Sequence, residues 1–395
     1  MLLAHDREKT VAVLFGGRSS EHEISLRSAC FVLRNVPRPW RIIPVAIDRD
    51  GLCLSLEGTF TAEDFSTVTP EDLAMLVRRE IPRGLRAGAV VESLVLPARR
   101  EVIENMPEYP LRILNLEAGV FFPVLHGPNG EDGRLQGLFE LAEVAYVGCD
   151  VRASVLGIDK HIQKRLASEA GINVARYEAV AHEEWGESRA RVVERVKSRI
   201  GFPCFVKPNA LGSAVGCGRA KDEAELGQLL DAALTYDDKA LVEEPMTGTE
   251  VECAFLGTAV NPRITIAGEI APADFYSYEA KYLSEDGAAQ YLPARLEEAR
   301  MQELRALAAR VATTLGLDGL CRIDFWNATG GPHAGTFVFN EVNTLPGLTS
   351  ISMFPKLWEH DGVDGPSWIA ELLERALIRG KLLCSRAHGL PPIAG

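Results

Sequence analysis

The sequence predicts an α/β protein of two or three domains, and three observations carry that expectation. The apolar run Val11-Ala-Val-Leu-Phe15 ends at Gly16-Gly17 and passes into a segment holding Ile24, Leu26 and Ala29, which reads as strand, glycine turn and helix. The middle third alternates capped helical stretches with short apolar strands. Towards the end, Arg322-Ile-Asp324-Phe-Trp and Phe337-Val-Phe-Asn340-Glu341-Val-Asn343 read as paired strands around a glycine-containing turn. At 395 residues the chain exceeds the usual span of one hydrophobic core.

In the first domain, further strands are expected over 41–47, 111–115 and 120–125, with a helix over 133–142 and closure near residue 150. The stretch 54–109 reads as an elaboration of that domain. Asp159 is placed to cap a helix carrying Ile162, Leu166 and Ala170, with Gly171 as its stop. A second helix carries Val192, Val193, Val196 and Ile200 and halts at Gly201 and Pro203. A strand over 204–208, a glycine-containing loop over 209–218, a helix over 223–233 and strands over 240–244 and 250–256 complete the middle unit. The last third opens with a strand over 263–266 and a polar, aromatic loop over 274–290. Pro293 suits the first turn of a long helix whose Leu304, Leu307, Val311 and Leu315 share one face, and Gly316 ends it.

Composition narrows the function. A net charge of −13 and a pI near 5.2 oppose binding to a phosphate backbone, so no nucleic-acid partner is expected. The charged start of the chain and the lack of any apolar run of membrane-spanning length predict a cytoplasmic protein with no membrane partner. The eight cysteines are dispersed without a C-x-x-C pair, which suggests small buried residues rather than a zinc ribbon or disulfide framework.

Alternation along a strand puts Arg322 and Asp324 on one face and Glu341 and Asn343 on one face of its partner. Pairing would bring three hard oxygen donors together, a set suited to magnesium beside nucleotide phosphates. The flanking Ile323, Phe325, Val338, Phe339 and Val342 have the bulk to bury them. The loop Gly212-Ser213-Ala-Val-Gly216 reads either as a phosphate cradle or as a plain turn, and it is neither a Walker A loop nor a G-x-G-x-x-G fingerprint. Lys160 and Lys207 are candidate phosphate contacts, Lys207 at the end of an apolar strand. Glu243-Glu244-Pro-Met246 and Glu250 end another strand, where backbone groups suit an adenine and carboxylates a ribose; an acidic turn is the alternative. His126 falls in a loop at a strand end.

Together these residues resemble the D-alanine:D-alanine ligases of the ATP-grasp superfamily. From Val11 to about Val363 the landmarks occur in order, from Gly16-Gly17-Arg-Ser19-Ser-Glu21-His22 through His126-Gly127, Gly130-Glu-Asp-Gly133, Asp159-Lys160, Lys207-Pro208, Gly212-Ser213 and Glu243-Glu244. Phe275-Tyr276-Ser-Tyr278-Glu-Ala-Lys281-Tyr282, Pro293-Ala294, Arg322-Ile-Asp324 and Asn340-Glu341-Val-Asn343-Thr-Leu-Pro-Gly347 complete the set.

The resemblance implies a Rossmann-like N-terminal domain over 1–150, then a two-domain ATP-grasp fold over 151–257 and 258–395 with a lid at 274–290. It implies a homodimer that makes D-alanyl-D-alanine for peptidoglycan precursors from ATP and D-alanine, with a pair of magnesium ions for which manganese can substitute. Asp324, Glu341 and Asn343 would hold the metal; Lys160, Lys207, Ser213, Glu243, Glu244, Met246, Glu250 and Lys281 would bind ATP. Glu21, with His126 nearby, would meet the first D-alanine, and Ser352 and Met353 the second. Arg322 and the Gly347 amide would stabilise an oxyanion, and Ser213 and Tyr282 would bond to one another and to Glu21 when the lid closes. Ala214 departs from the serine many members carry, which removes one hydroxyl contact to phosphate. Tyr282 resembles the ligases that make D-Ala:D-Ala rather than D-Ala:D-lactate, and apolar Met353 suits alanine; a D-Ala:D-Ser or D-Ala:D-lactate ligase, sharing every ATP residue, is the nearest alternative. A non-catalytic ATP-binding module would be expected to lack Arg322 or a metal ligand, and neither is lost.

Overall fold

The structure, a computed structural model, describes residues 9–56, 58–78, 90–95, 116, 118–270 and 289–385. The first unit is built on a five-stranded sheet. Its elements are β1 (Thr10–Gly16), α1 (His22–Asn35), β2 (Arg41–Ile47), β3 (Leu52–Leu56), α2 (Pro70–Val77), β4 (Val90–Val95), β5 (Val120–Val124) and α3 (Arg134–Leu141), with strand order β4-β3-β2-β1-β5. β1 runs parallel to β2 and β5, while β3 and β4 extend the sheet antiparallel. Val11, Val13 and Phe15 enter one core with α1, and Ala12 and Leu14 enter another with Leu135 and Phe139 of α3. Burial on both faces is why β1 reads as an unbroken apolar run. The expected strand over 111–115 lies outside the described residues.

Next come α4 (Val151–Ile158), α5 (Lys160–Glu169), β6 (Tyr177–Ala181), α6 (His182–Glu187), α7 (Arg189–Arg199), β7 (Cys204–Pro208), β8 (Gly218–Ala220), α8 (Glu223–Ala233) and β9 (Lys239–Glu243). The four strands form an antiparallel sheet in the order β6-β9-β7-β8. Cys204 and Val206 of β7 and Ala240 and Val242 of β9 pack against Val192, Val196, Leu226 and Leu230 of α7 and α8. Alternation turns Lys207 and Glu243 to the opposite face. Asp159 caps α5 through the Ile162 N–H, as expected, and Gly171 takes a left-handed φ of 72° beyond it.

The third sheet, in the order β12-β11-β10-β13-β14, comprises β10 (Gly248–Thr258), β11 (Pro262–Ile270), β12 (Gln290–Tyr291), β13 (Asp318–Ala328) and β14 (Phe337–Asn343). With it lie α9 (Glu298–Leu315), α10 (Met353–His360) and α11 (Gly365–Cys384). Two expectations change here. The strand over 250–256, expected to close the middle unit, is the centre of this larger sheet, paired with β11 and β13. Hydrophobic alternation predicts a strand but not which sheet it joins. Pro293 lies ahead of α9 rather than in its first turn, because the helix begins at Glu298. Helices α4 and α5 pack against β14, so the start of the expected middle unit shares the core of this sheet. Among the described residues no helix is long and apolar enough to cross a membrane.

Candidate active site

Strands β13 and β14 pair Arg322 opposite Asn343 and Asp324 opposite Glu341. Cys321, Ile323 and Phe325 point into the core, so Arg322 and Asp324 share the other face. There the Arg322 guanidinium donates from Nε to Asp324 Oδ1 at 2.8 Å and from Nη2 to Oδ2 at 2.7 Å. Asn343 Nδ2 donates to Asp324 Oδ2 at 3.0 Å, and Glu252 of β10 approaches Arg322 Nε at 3.3 Å. Arg322 is therefore held by carboxylates on two sides, which an assignment to an oxyanion alone did not include.

The pairing slips between Asp324 and Phe325, leaving Asn340 as an extra residue in β14. This bulge lets Phe339 and Val342 both reach the core although three positions apart. It also presents the Asn340 amide oxygen to Lys207 Nζ at 3.4 Å.

The donor set fits a hard divalent cation. Asp324, Glu341 and Asn343 offer oxygen ligands on paired strands, and Glu250, Glu252 and Asp324 bring carboxylate oxygens within 4.8 Å of one another. Asp324 is common to both groups. Glu252 was missed by the sequence reading, although Glu250-Val-Glu252 alternation carried the signal.

On the facing sheet, Lys207 Nζ lies 3.0 Å from Glu243 Oε1, and the same oxygen lies 3.2 Å from Lys164 Nζ. Burial opposes the Lys207 ammonium, yet Glu243 and Glu341 outweigh it and hold its pKa above the usual lysine value. Burial also opposes the Glu243 carboxylate, and Lys164 and Lys207 outweigh it and lower its pKa. Lys160 Nζ donates to the Leu211 carbonyl at 2.9 Å and pairs with Glu341 at 3.1 Å, joining the glycine loop to the hairpin. Glu244 is committed elsewhere: it accepts from the Arg176 N–H and Nε at 2.7 and 2.8 Å and meets His333 Nε2 at 2.9 Å. Met246 packs beside Ala175, Ala328 and Val338.

At the other end, Ser213 donates its hydroxyl to Glu21 Oε1. Ser213 and Ala214 both take left-handed φ values, 56° and 55°, unusual for residues with a Cβ and typical of a functional loop. Glu21 Oε2 is buried and has no hydrogen-bond partner among the described residues. Gly127, at φ 76°, makes room for it, since a Cβ there would lie 2.3 Å from that oxygen.

His126 is a clamp rather than a free ligand. Its Nδ1 lies 2.9 Å from the Leu345 carbonyl and its Nε2 2.8 Å from Ser28 Oγ, which accepts from the Leu348 N–H at 3.1 Å. Burial lowers its pKa and favours the neutral ring, with Nδ1–H donating to Leu345. Glu131, also missed, accepts from the Gly127 and Leu345 N–H groups at 2.5 and 3.0 Å. Burial and the nearby Glu21 charge push its pKa up to about 8.

One cavity gathers Glu21, Lys160, Ser213, Arg322, Glu341 and Gly347. Ser352 Oγ lies 2.7 Å from Thr349 Oγ1, close behind Gly347. Met353 is turned into the core against Gly268, whose missing side chain makes its space. Lys281 and Tyr282 lie outside the described residues.

Profiles of the two halves of one family match this chain: the D-ala D-ala ligase N-terminus over residues 10–149 and the D-ala D-ala ligase C-terminus over 166–374. The chain belongs to the D-Ala–D-Ala ligase family. Its membership places it among the ATP-grasp ligases, with an N-terminal α/β unit and two ATP-grasp units. A D-alanine–D-alanine ligase of Streptomyces griseus is 40% identical over 384 residues, covering 94% of each chain. D-alanine–D-alanine ligase A of Bradyrhizobium diazoefficiens is 40% identical over 385 residues, covering 96% of this chain and 98% of its own. Among solved structures, the VanG D-Ala:D-Ser ligase from Enterococcus faecalis is similar at TM-score 0.74 and 30% identity, over 93% of this chain and 99% of that one. The D-alanine-D-alanine ligase from Coxiella burnetii matches at TM-score 0.74 and 28% identity, over 95% and 96%. A shared fold thus accommodates ligases named for different second substrates.

Proposed function

We propose that this protein joins two D-alanines into D-alanyl-D-alanine, using ATP and passing through a D-alanyl phosphate. The observation that carries the reading is the buried Oε2 of Glu21, without a hydrogen-bond partner among the described residues, at one end of a cavity whose other side holds Arg322 and Gly347. A bare carboxylate oxygen in a desolvated site is a strong acceptor for an α-ammonium group.

The first D-alanine binds by its ammonium to Glu21, which Ser213 orients. Its carboxylate oxygen attacks the γ-phosphorus of ATP, ADP leaves, and a mixed anhydride results. Lys160 and Lys207 neutralise phosphate charge, and the phosphoryl transfer depends on this positioning. Asp324, Glu341 and Asn343, with Glu250 and Glu252 adjacent, would hold magnesium, which would supply neutralisation of phosphate charge. The amine of the second D-alanine then attacks the acyl carbon, and the resulting oxyanion is met by Arg322 and the Gly347 N–H. Collapse expels inorganic phosphate, and the amine gives up its proton to form the peptide bond. Glu243, Glu250 and Met246 flank the nucleotide, and we assign Lys281 to ATP and Tyr282 to the Glu21–Ser213 pair. Ser352, with Met353 beside it, takes the second D-alanine. We assign the product to peptidoglycan precursors and the enzyme to the cytoplasm as a homodimer.

Purified protein with Mg-ATP should release phosphate only when D-alanine is added, with a product of D-alanyl-D-alanine mass. A mainly mixed dipeptide or depsipeptide, when D-serine or D-lactate competes, would overturn the second-substrate assignment. Nucleotide binding with no amino-acid-dependent turnover would instead favour a non-catalytic module.

A further inference from the structure

Lys164 sits one helical turn after Lys160 on α5 and is fully buried. A buried ammonium is expensive unless its surroundings use the charge. Burial lowers its pKa to about 8 against the opposing pull of Glu243, so the fold carries an evident penalty at this position. Its Nζ has no well-directed hydrogen bond among the described residues, and its ion-pair contact is Glu243 Oε1 at 3.2 Å.

That oxygen is shared. Lys207 Nζ lies 3.0 Å from it and is steadied on another side by Asn340. Two lysines divide one carboxylate, so the group carries a net charge of +1. Without Lys164, Glu243 and Lys207 would form a neutral pair, and the phosphates would meet a lysine whose charge is already cancelled.

We infer that Lys164 is a positioning residue for nucleotide binding: it takes up the charge of Glu243 from behind, leaving the Lys207 ammonium available to an anionic polyphosphate. The inference rests on the ligase reading for its role in turnover, but direct nucleotide binding tests it separately.

The test uses the full chain as Lys164→Met, which keeps the length and bulk of the side chain, and as Lys164→Arg, which keeps the cation. ATP affinity is measured by calorimetry, and KM for ATP and for D-alanine by phosphate release. Lys164→Met should weaken ATP binding and raise KM for ATP at least tenfold, with KM for D-alanine changed less than twofold. Lys164→Arg keeps a cation beside Glu243 and should bind ATP within threefold of the parent, because the charge that offsets Glu243 is retained. Unchanged ATP affinity in Lys164→Met, or parallel rises in both KM values, would overturn the inference. Should Lys164→Met fail to fold, Lys164→Arg decides: affinity within threefold of the parent supports the inference, and a tenfold loss overturns it. A parent protein that binds ATP but shows no D-alanine-dependent turnover would sink the ligase reading while leaving the binding test intact.

Discussion

Ser213 donates its hydroxyl to one carboxylate oxygen of Glu21, and the other oxygen is buried with no hydrogen-bond partner among the described residues. The bond spans 192 residues of sequence and joins the first unit to the glycine loop. If Glu21 meets the substrate ammonium as proposed, a neutral amide at position 21 loses a contact worth about 1.5–3 kcal/mol. Glu21→Gln should therefore raise KM for D-alanine by roughly tenfold to a hundredfold by that figure, while ATP affinity stays near the parent value. An unaltered KM for D-alanine would remove Glu21 from substrate recognition.

Gly127→Ala tests the room left for that oxygen. Its Cβ would lie 2.3 Å from Glu21 Oε2, and the left-handed φ of 76° disfavours any side chain. Strain of this kind costs about 1–3 kcal/mol, and displacement of Glu21 should depress turnover far more than the stability loss alone. Denaturant midpoints measured beside initial rates separate the two effects, and a fully active variant would show that Glu21 need not stay where it is.

Asp324→Ala strips Arg322 of its bidentate partner in a buried setting. Loss of one member of such a pair typically costs about 3–5 kcal/mol. We expect a lower urea midpoint with an unchanged slope, together with a loss of turnover and a shift of the magnesium dependence to higher concentration. A magnesium dependence like the parent's would move Asp324 out of the metal-binding set.

His126 predicts an acid limb. Burial lowers its folded pKa below the ordinary value of 6.5, so the unfolded chain takes up a proton first. The stabilisation from the neutral ring is fully present above 6.5 and is lost as pH falls through that value towards the folded pKa. His126→Asn should flatten the stability profile between pH 7 and 5, read by thermal melts at matched ionic strength. Glu131 works in the opposite sense. Its folded pKa near 8 means its contribution is present below the ordinary 4.5 and is lost as pH rises through about 8. A profile for His126→Asn as steep as the parent's would shift the acid limb to other groups.

Local chemistry made much of the molecule legible in advance. Asp159 and Gly171 bracket a helix because a carboxylate cap and a left-handed glycine are local requirements. The pairing of Arg322 with Asn343 and of Asp324 with Glu341 follows from strand alternation plus a hairpin. What depended on long-range placement was hidden. Nothing local assigns the strand over 250–256 to one sheet or the other, and the Asn340 bulge breaks the alternation that a sequence reading assumes. Lys164 looks like any helix-surface lysine until the sheet carrying Glu243 is laid over it. Glu131 and His126 were visible as a motif, yet their role as ties to Leu345 arises only when the last third of the chain folds back.

Those ties fix an order of events during synthesis. Glu21 is made early, its partner Ser213 only after half the chain, and the Leu345 and Leu348 backbone that locks His126, Glu131 and Ser28 comes near the end. A chain that stops before residue 345 lacks the backbone partners of His126, Glu131 and Ser28. The cavity lined by Glu21 at one end and Gly347 at the other is thus completed only by the segment made last.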